Sequence, residues 1–177
     1  MTENEGFRHL LFEAVRDLRR EVLEKHSRHV SLGDLLFDRG DTAQFYGFGE
    51  GSTCYNNVLV IGDVRVGKNT WIGPNVVLDG SGGLSIGDNC AISAGAQIYS
   101  HHTLMRTLSG GNSEIERKPT TIGNNVYIGP NSVVQMGSVI GDEAVIGALT
   151  FVNKDVPARS KIFGSANGRS LDETSDR

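Results

Sequence analysis

Proline is scarce in this sequence, with 4 residues in 177, and cysteine is scarcer, with 2. So little proline excludes collagen-like and Pro/Gly linker repeats. Cys54 and Cys90 make neither a disulfide framework nor a zinc-ligand spacing, which points to reduced thiols and a cytoplasmic setting. An excess of positive charge is missing as well: 17 Lys and Arg face 21 Asp and Glu, for a net charge of −4. A nucleic-acid clamp or a protein held on an anionic membrane would be basic, so neither partner is expected. No apolar run approaches the ~20 residues that span a bilayer. The opening MTENEGFRHLLFEAVRDLRR has no basic stretch leading into an apolar one, so no secretory signal is expected. What is abundant is glycine, 23 residues of 177, nearly twice the ordinary share of about 7%.

The length suits one domain with a small appendage. Residues 1–50 are expected to form an N-terminal helix and a connector. Thr2 and Glu5 have the spacing of a capping box, and Phe7, Leu10, Leu11, Ala14, Leu18 and Val22 recur at three- and four-residue steps as one apolar stripe. That stripe must bury against the rest of the chain or against another subunit. Its opposite face is of mixed charge, which argues against a membrane-surface helix. A short helix is expected near Ser31–Phe37, with Gly40, Gly47, Gly49 and Gly51 breaking the chain beyond it.

A repeat fills residues 51–165. Val60, Val66, Ile72 and Leu78 stand six residues apart; so do Ile86, Ile92 and Ile98, and again Ile122, Ile128, Val134, Ile140, Ile146 and Val152. Small or β-branched residues, among them Thr70, Val76, Cys90, Ala96, Ser132 and Thr150, precede these aliphatics by two positions. A period of six fits neither a 3.6-residue helix nor a hairpin meander. It fits a short strand and a tight corner repeated, which is a parallel β-helix with one aliphatic filling the interior per face. Asn69, Asn75, Asn89, Asn125 and Asn131 fall at the corners, where asparagine tolerates left-handed backbone angles.

The phase breaks twice. Leu78 to Ile86 is a step of eight, with two residues inserted near DGSGG (79–83). Ile98 to Ile122 is a step of 24, and residues of about 103–118 carry no hexad, so they are expected to leave the coil as a loop. Loops that leave a rigid scaffold are where function concentrates.

The stretches IGDNCAISAGAQIYSHH (86–102), PTTIGNNVYIGPNSVV (119–134) and VIGDEAVIGALTFVNKDVP (139–157) resemble the hexapeptide-repeat acyltransferases, in particular the sugar-modifying branch similar to maltose and galactoside O-acetyltransferases and nucleotide-amino-sugar N-acetyltransferases. The resemblance implies a mainly β fold, a left-handed parallel β-helix of hexapeptide repeats with an N-terminal α-helix and an extruded loop. It implies a homotrimer that binds acetyl-CoA and a sugar or nucleotide-sugar in clefts between neighbouring chains, and it implies a place in surface-polysaccharide biosynthesis. The family commonly closes its coil with Gly-Asn-Pro-Ala-Lys; here the match is Gly164-Ser165-Ala166-Asn167-Gly168, without the proline and the lysine. Residues 166–177 are then a C-terminal tail.

Transfer from a thioester needs a base for the acceptor, donors for the oxyanion and a route for the thiol to leave. Of five histidines only His101 and His102 lie in the β-helix, both where the coil opens into the loop. His9, His26 and His29 are read as solvated or interfacial. Neighbours in an extended segment point to opposite sides, so one imidazole faces the cleft. Tyr99-Ser100-His101-His102 matches the family's Tyr-Thr-His-Asp, which favours His101 as base. Glu114 and Glu116 are candidates to hold the other imidazole nitrogen. The Ala94-Gly95 or Gly129-Pro130 corners could offer oxyanion amides. The resemblance assigns Asp79 to the acceptor, and Ala148, Asn153, Lys154 and Arg159 to CoA, the two cations for its phosphates. No nucleophilic Ser or Cys pattern is present, so direct transfer is expected over an acyl-enzyme. Two rivals stand beside this reading: a γ-carbonic-anhydrase-like metalloenzyme, for which an adjacent His pair supplies too few ligands, and a non-catalytic β-helix assembly module. No metal is expected.

Overall fold

A computed structural model describes residues 3–164. Thr2 of the expected capping box and the tail from Ser165 onward lie outside those residues. Helix α1 spans Glu3–His26, α2 Leu32–Leu36 and α3 Arg39–Phe45. The α1 stripe is only partly covered: Leu18 and Val22 are half-buried, while Phe7 and Leu10 remain 66% and 69% exposed. No described helix is long and apolar enough to cross a membrane. Helix α2 sits where it was expected, with Ser31 Oγ capping its start by accepting from the Asp34 N–H. Helix α3 was not expected, because Gly40 was read as a breaker. Asp38 accepts from the Gly40 N–H at 2.7 Å, and an N-cap of that kind outweighs the ~1 kcal/mol a helical glycine costs.

From Thr53 onward the chain winds as a left-handed parallel β-helix of three faces. The first face stacks Thr53–Cys54, Trp71–Ile72, Ala91–Ile92, Tyr127–Ile128, Val145–Ile146 and Lys161–Ile162 in parallel register. The second stacks Leu59 and Val60 on Val77 and Leu78, then Gln97–Ile98, Val133–Val134 and Phe151–Val152. The third stacks Arg65 and Val66 on Ser85 and Ile86, then Thr121 and Ile122, then Val139–Ile140. Of the hexad aliphatics, all but the half-buried Val60 are buried, from Val66 at 7% to Leu78, Ile98, Ile128, Val134 and Ile146 at 0%. Each such side chain contributes roughly 1.5–3 kcal/mol of burial, and the period of six delivers one per face. The five corner asparagines all adopt left-handed backbone, with φ between 52° and 58°. A β-branched residue there would be strained.

The phase breaks become two excursions at one corner. The strand Val77–Ile86 runs unbroken from the second face to the third, and its inserted residues make a bend between Gly80 and Leu84 that begins two residues past Leu78. One coil on, the loop leaves through a short antiparallel pair, His101–His102 on Glu116–Arg117, and carries helix α4 (Leu104–Leu108) directly after the outgoing strand. The excursion thus has secondary structure of its own, and its base is pinched shut by strand pairing.

Candidate active site

Because Leu78 stacks on Ile98, the bend at Asp79 lies directly against the segment Tyr99–His102. Asp79 is 0% exposed. Its Oδ1 accepts from Ser81 twice, from Oγ–H at 2.6 Å and from N–H at 3.0 Å. Its Oδ2 accepts from the backbone N–H of Ser100 at 3.0 Å and of His101 at 3.2 Å. The same Oδ2 lies 2.5 Å from His101 Nδ1. Burial works against the charge and alone would raise the carboxyl pKa. The hydrogen bonds, led by the Ser81 hydroxyl and including His101, outweigh it and bring the pKa down from 3.8 to about 2. Asp79 is therefore an anion above mildly acidic pH, and an anionic carboxylate only accepts.

That fixes the tautomer of His101. Nδ1 must carry the proton it gives to Asp79, so Nε2 carries the lone pair. Among the described residues nothing bonds to Nε2, and the side chain is 28% exposed. His102 is held the other way. Its Nδ1 accepts from the Leu104 N–H at 3.4 Å, and its Nε2 lies 3.6 Å from Glu116 Oε2. Both histidines line one groove of about 340 Å³, together with Tyr99, Thr103, Val133, Gln135, Met136 and Phe151. The groove walls are chiefly apolar, and the polar atoms stand at the corner.

The structure redistributes the expected site residues. Asp79 was assigned to the acceptor; it is buried, and its oxygens are occupied by the chain's own donors. It meets Nδ1 of His101 instead, the contact expected of Glu114 or Glu116. Glu116 faces His102, and Glu114 is exposed. Asn153 and Lys154 lie at the same corner as His101, two coils up, since Tyr99 and Gln135 in turn donate to the carbonyls of Val134 and Val152. At ~4.8 Å per strand that is about 10 Å. Ala148 is exposed at the corner on the far edge of the second face, stacked beside Gly129. Arg159 belongs elsewhere. It sits at the corner between the third and first faces, bonded through Nε and Nη2 to Glu143 at 3.2 and 3.3 Å. That hydrogen bond, with the Glu143 charge, raises the guanidinium pKa further. Of the proposed oxyanion amides, Gly95 and Gly129 already donate to Pro74 and Ile146. Cys54 and Cys90 are buried and unpaired; burial first, then the nearby Asp34, pushes the Cys54 thiol up to about 12. Among the described residues no three His, Cys, Asp or Glu side chains converge as a metal site.

The family described as "Bacterial transferase hexapeptide (six repeats)" matches residues 119–154, and "Hexapeptide repeat of succinyl-transferase" matches residues 63–100. These two stretches of the β-helix are thus similar to hexapeptide-repeat transferases. Among relatives, galactoside O-acetyltransferase of Escherichia coli (strain K12) is 35% identical over 100 residues, covering 54% of this chain and 47% of the relative. The chain spans about half the length of the curated relatives it matches. Among solved structures, the hexapeptide-repeat-containing acetyltransferase VCA0836 of Vibrio cholerae O1 biovar eltor, complexed with acetyl coenzyme A, is 25% identical with a TM-score of 0.66, over 93% of this chain and 89% of that one. AntD, an N-acyltransferase from Bacillus cereus in complex with dTDP and 3-hydroxybutyryl-CoA, is 18% identical with a TM-score of 0.60 over 66% of each chain, a likeness of fold alone.

Proposed function

We propose that this protein moves an acetyl group from acetyl-CoA to a hydroxyl or amino group of a sugar or nucleotide-linked sugar, with His101 as general base and Asp79 as its orienting partner. The observation that carries the reading is the contact between His101 Nδ1 and the buried, ionised Asp79, which leaves the Nε2 lone pair at the groove. Nε2 takes the acceptor's proton as the acceptor oxygen or nitrogen attacks the thioester carbonyl. The tetrahedral adduct collapses, the carbon–sulfur bond breaks, and the imidazolium returns the proton to the departing thiolate. VCA0836 was solved with acetyl coenzyme A, and galactoside O-acetyltransferase carries its acceptor class in its name; both support the donor and the sugar. A role in surface-polysaccharide assembly in the cytoplasm follows from the same resemblance. The test is a panel of free sugars and nucleotide-linked amino sugars with acetyl-CoA, read by thiol release. No release with any member overturns the reading.

The groove lies open along the second face and the root of the loop, and α1 leaves Phe7 and Leu10 uncovered. Both fit a homotrimer whose neighbouring coil closes each groove. Sedimentation is expected to show a trimer at micromolar concentration; a stable monomer refutes it.

Lys154 is exposed at the corner of His101, two coils along from it. A contact to a CoA phosphate there binds ground and transition states alike. Lys154→Ala is expected to raise the KM for acetyl-CoA several-fold, by the loss of about 1 kcal/mol of exposed charge pairing, with kcat nearly unchanged. Arg159→Ala, at a different corner and paired with Glu143, is expected to leave both constants alone. An unchanged KM in Lys154→Ala places the phosphate contact elsewhere.

A further inference from the structure

Both donors of Ser81 converge on one oxygen, Asp79 Oδ1. The bend that carries Ser81 is wedged in place. The Gly82 N–H donates to Ser100 Oγ at 2.8 Å, and a Cβ on Gly82 would come within 2.4 Å of the Ser100 carbonyl oxygen and 2.9 Å of the Lys118 nitrogen. Ser100 in turn donates its N–H to Asp79 Oδ2, and its carbonyl accepts from the Lys118 N–H at 2.9 Å. The carboxylate is thus gripped on Oδ1 by the bend and on Oδ2 by the root of the extruded loop. The hexad repeat does not call for this: two residues are inserted into the period within 79–83, and Ser81 occupies none of its inward positions.

We propose that Ser81 is a positioning residue for acyl transfer: its hydroxyl locks the plane of the Asp79 carboxylate so that Oδ2 stays in line with His101 Nδ1–H. With Oδ1 tethered, the carboxylate cannot turn about its χ2 axis, a torsion that is otherwise broad. The imidazole then holds one tautomer and one ring orientation, which is what such a partner does for a catalytic histidine. The role rests on the acetyl-transfer reading of His101, but the geometry it asserts is observable without turnover. The charged and titratable groups around His101 are Asp79 from the bend, Glu116 and Arg117 from the return strand of the loop, and His102 and Tyr99 beside it.

The experiment compares wild type, Ser81→Ala and Ser81→Thr by acetyl-transfer pH–rate profiles and by nitrogen-resolved NMR of the histidines. In wild type, His101 should show the signature of the Nδ1–H form, with a slowly exchanging Nδ1 proton. In Ser81→Ala that proton should exchange faster and the two tautomers should mix. kcat should fall roughly tenfold, the scale of one hydrogen bond to a charged group, with the KM for acetyl-CoA and the melting temperature unchanged. The acid limb of the profile should move to higher pH, because a carboxylate with one donor fewer favours the imidazolium more strongly. Ser81→Thr restores the hydroxyl and should recover most of both signals. If Ser81→Ala leaves the Nδ1–H signature as in wild type, the proposal is overturned, whatever the rates. If the signature changes but the wild-type protein transfers no acetyl group, Ser81 positions His101 and it is the acetyl-transfer reading that fails.

Discussion

His101→Ala should lose between about 10² and 10⁴ in kcat, the usual contribution of a positioned general base. An acceptor hydroxyl ionises far above neutral pH, so attack without assistance is slow. The substitution should spare the fold. His101 is partly exposed at a corner, and after its ring is removed Asp79 keeps the N–H donors of residues 81, 100 and 101 and the Ser81 hydroxyl. No buried charge is left without partners, so the melting temperature and the sedimentation of the variant should match wild type. His102→Ala should lose much less, because the Nδ1 lone pair of His102 is engaged by the Leu104 N–H. The pH dependence of the loss separates the acceptor classes. For an amine, the deficit of His101→Ala shrinks as pH rises and the free-amine fraction grows; for a hydroxyl, one or two pH units rescue nothing. The measurement is a pH–rate profile of both single variants. A larger loss in His102→Ala than in His101→Ala would reverse the assignment.

The repeat was legible because it is periodic. A six-residue step places one aliphatic per face, and Ile72, Leu78, Ile92, Ile98, Ile122, Ile128, Ile140 and Ile146 are all buried where that step puts them. The corner asparagines were legible for the same reason, since each periodic corner demands a left-handed residue. The non-periodic segments were harder to read. Nothing in the order of residues 103–118 shows that the loop closes on itself through Glu116–Arg117, or that Glu116 meets His102 and leaves His101 to another carboxylate. The role of Asp79 did have a signal. Leu78 and Ile98 are 20 residues apart, one coil of three hexads plus the two inserted residues, so Asp79 stacks beside Tyr99 and within a side chain's reach of His101. What hid the pairing was the resemblance, which assigned that region to the acceptor. Arg159 comes soon after Lys154 in sequence, but one further corner places it between the third and first faces, bonded to Glu143.

Asp79→Asn should be nearly as damaging as His101→Ala, with a kcat loss of about 10²–10⁴, although the two side chains have almost the same shape. Every group that touches the Asp79 carboxylate is a donor. An amide has only one acceptor oxygen. If its NH₂ end faces Ser81, the Ser81 hydroxyl can turn to accept, but the Ser81 N–H is left facing another donor. If its NH₂ end faces Ser100 and His101, two backbone N–H groups lose their acceptor, and Nδ1 of His101 must become the acceptor. The proton then moves to Nε2, and the base enters the groove with no lone pair. The kinetic split also separates this role from the acceptor contact read from sequence. Removal of an orienting partner lowers kcat with acceptor KM nearly constant, whereas loss of a ground-state contact raises acceptor KM. Stability carries an independent signature. The pKa of Asp79 is lowered from 3.8 to about 2 in the fold, so its charge stabilises the native state above about pH 4 and the contribution is lost as pH falls from 4 toward 2, an effect of about 2 kcal/mol. Asparagine does not titrate. Urea midpoints measured from pH 5 down to pH 2 should therefore fall less steeply for Asp79→Asn than for wild type. Parallel slopes, together with an unchanged kcat, would show that Asp79 holds neither the charge nor the base.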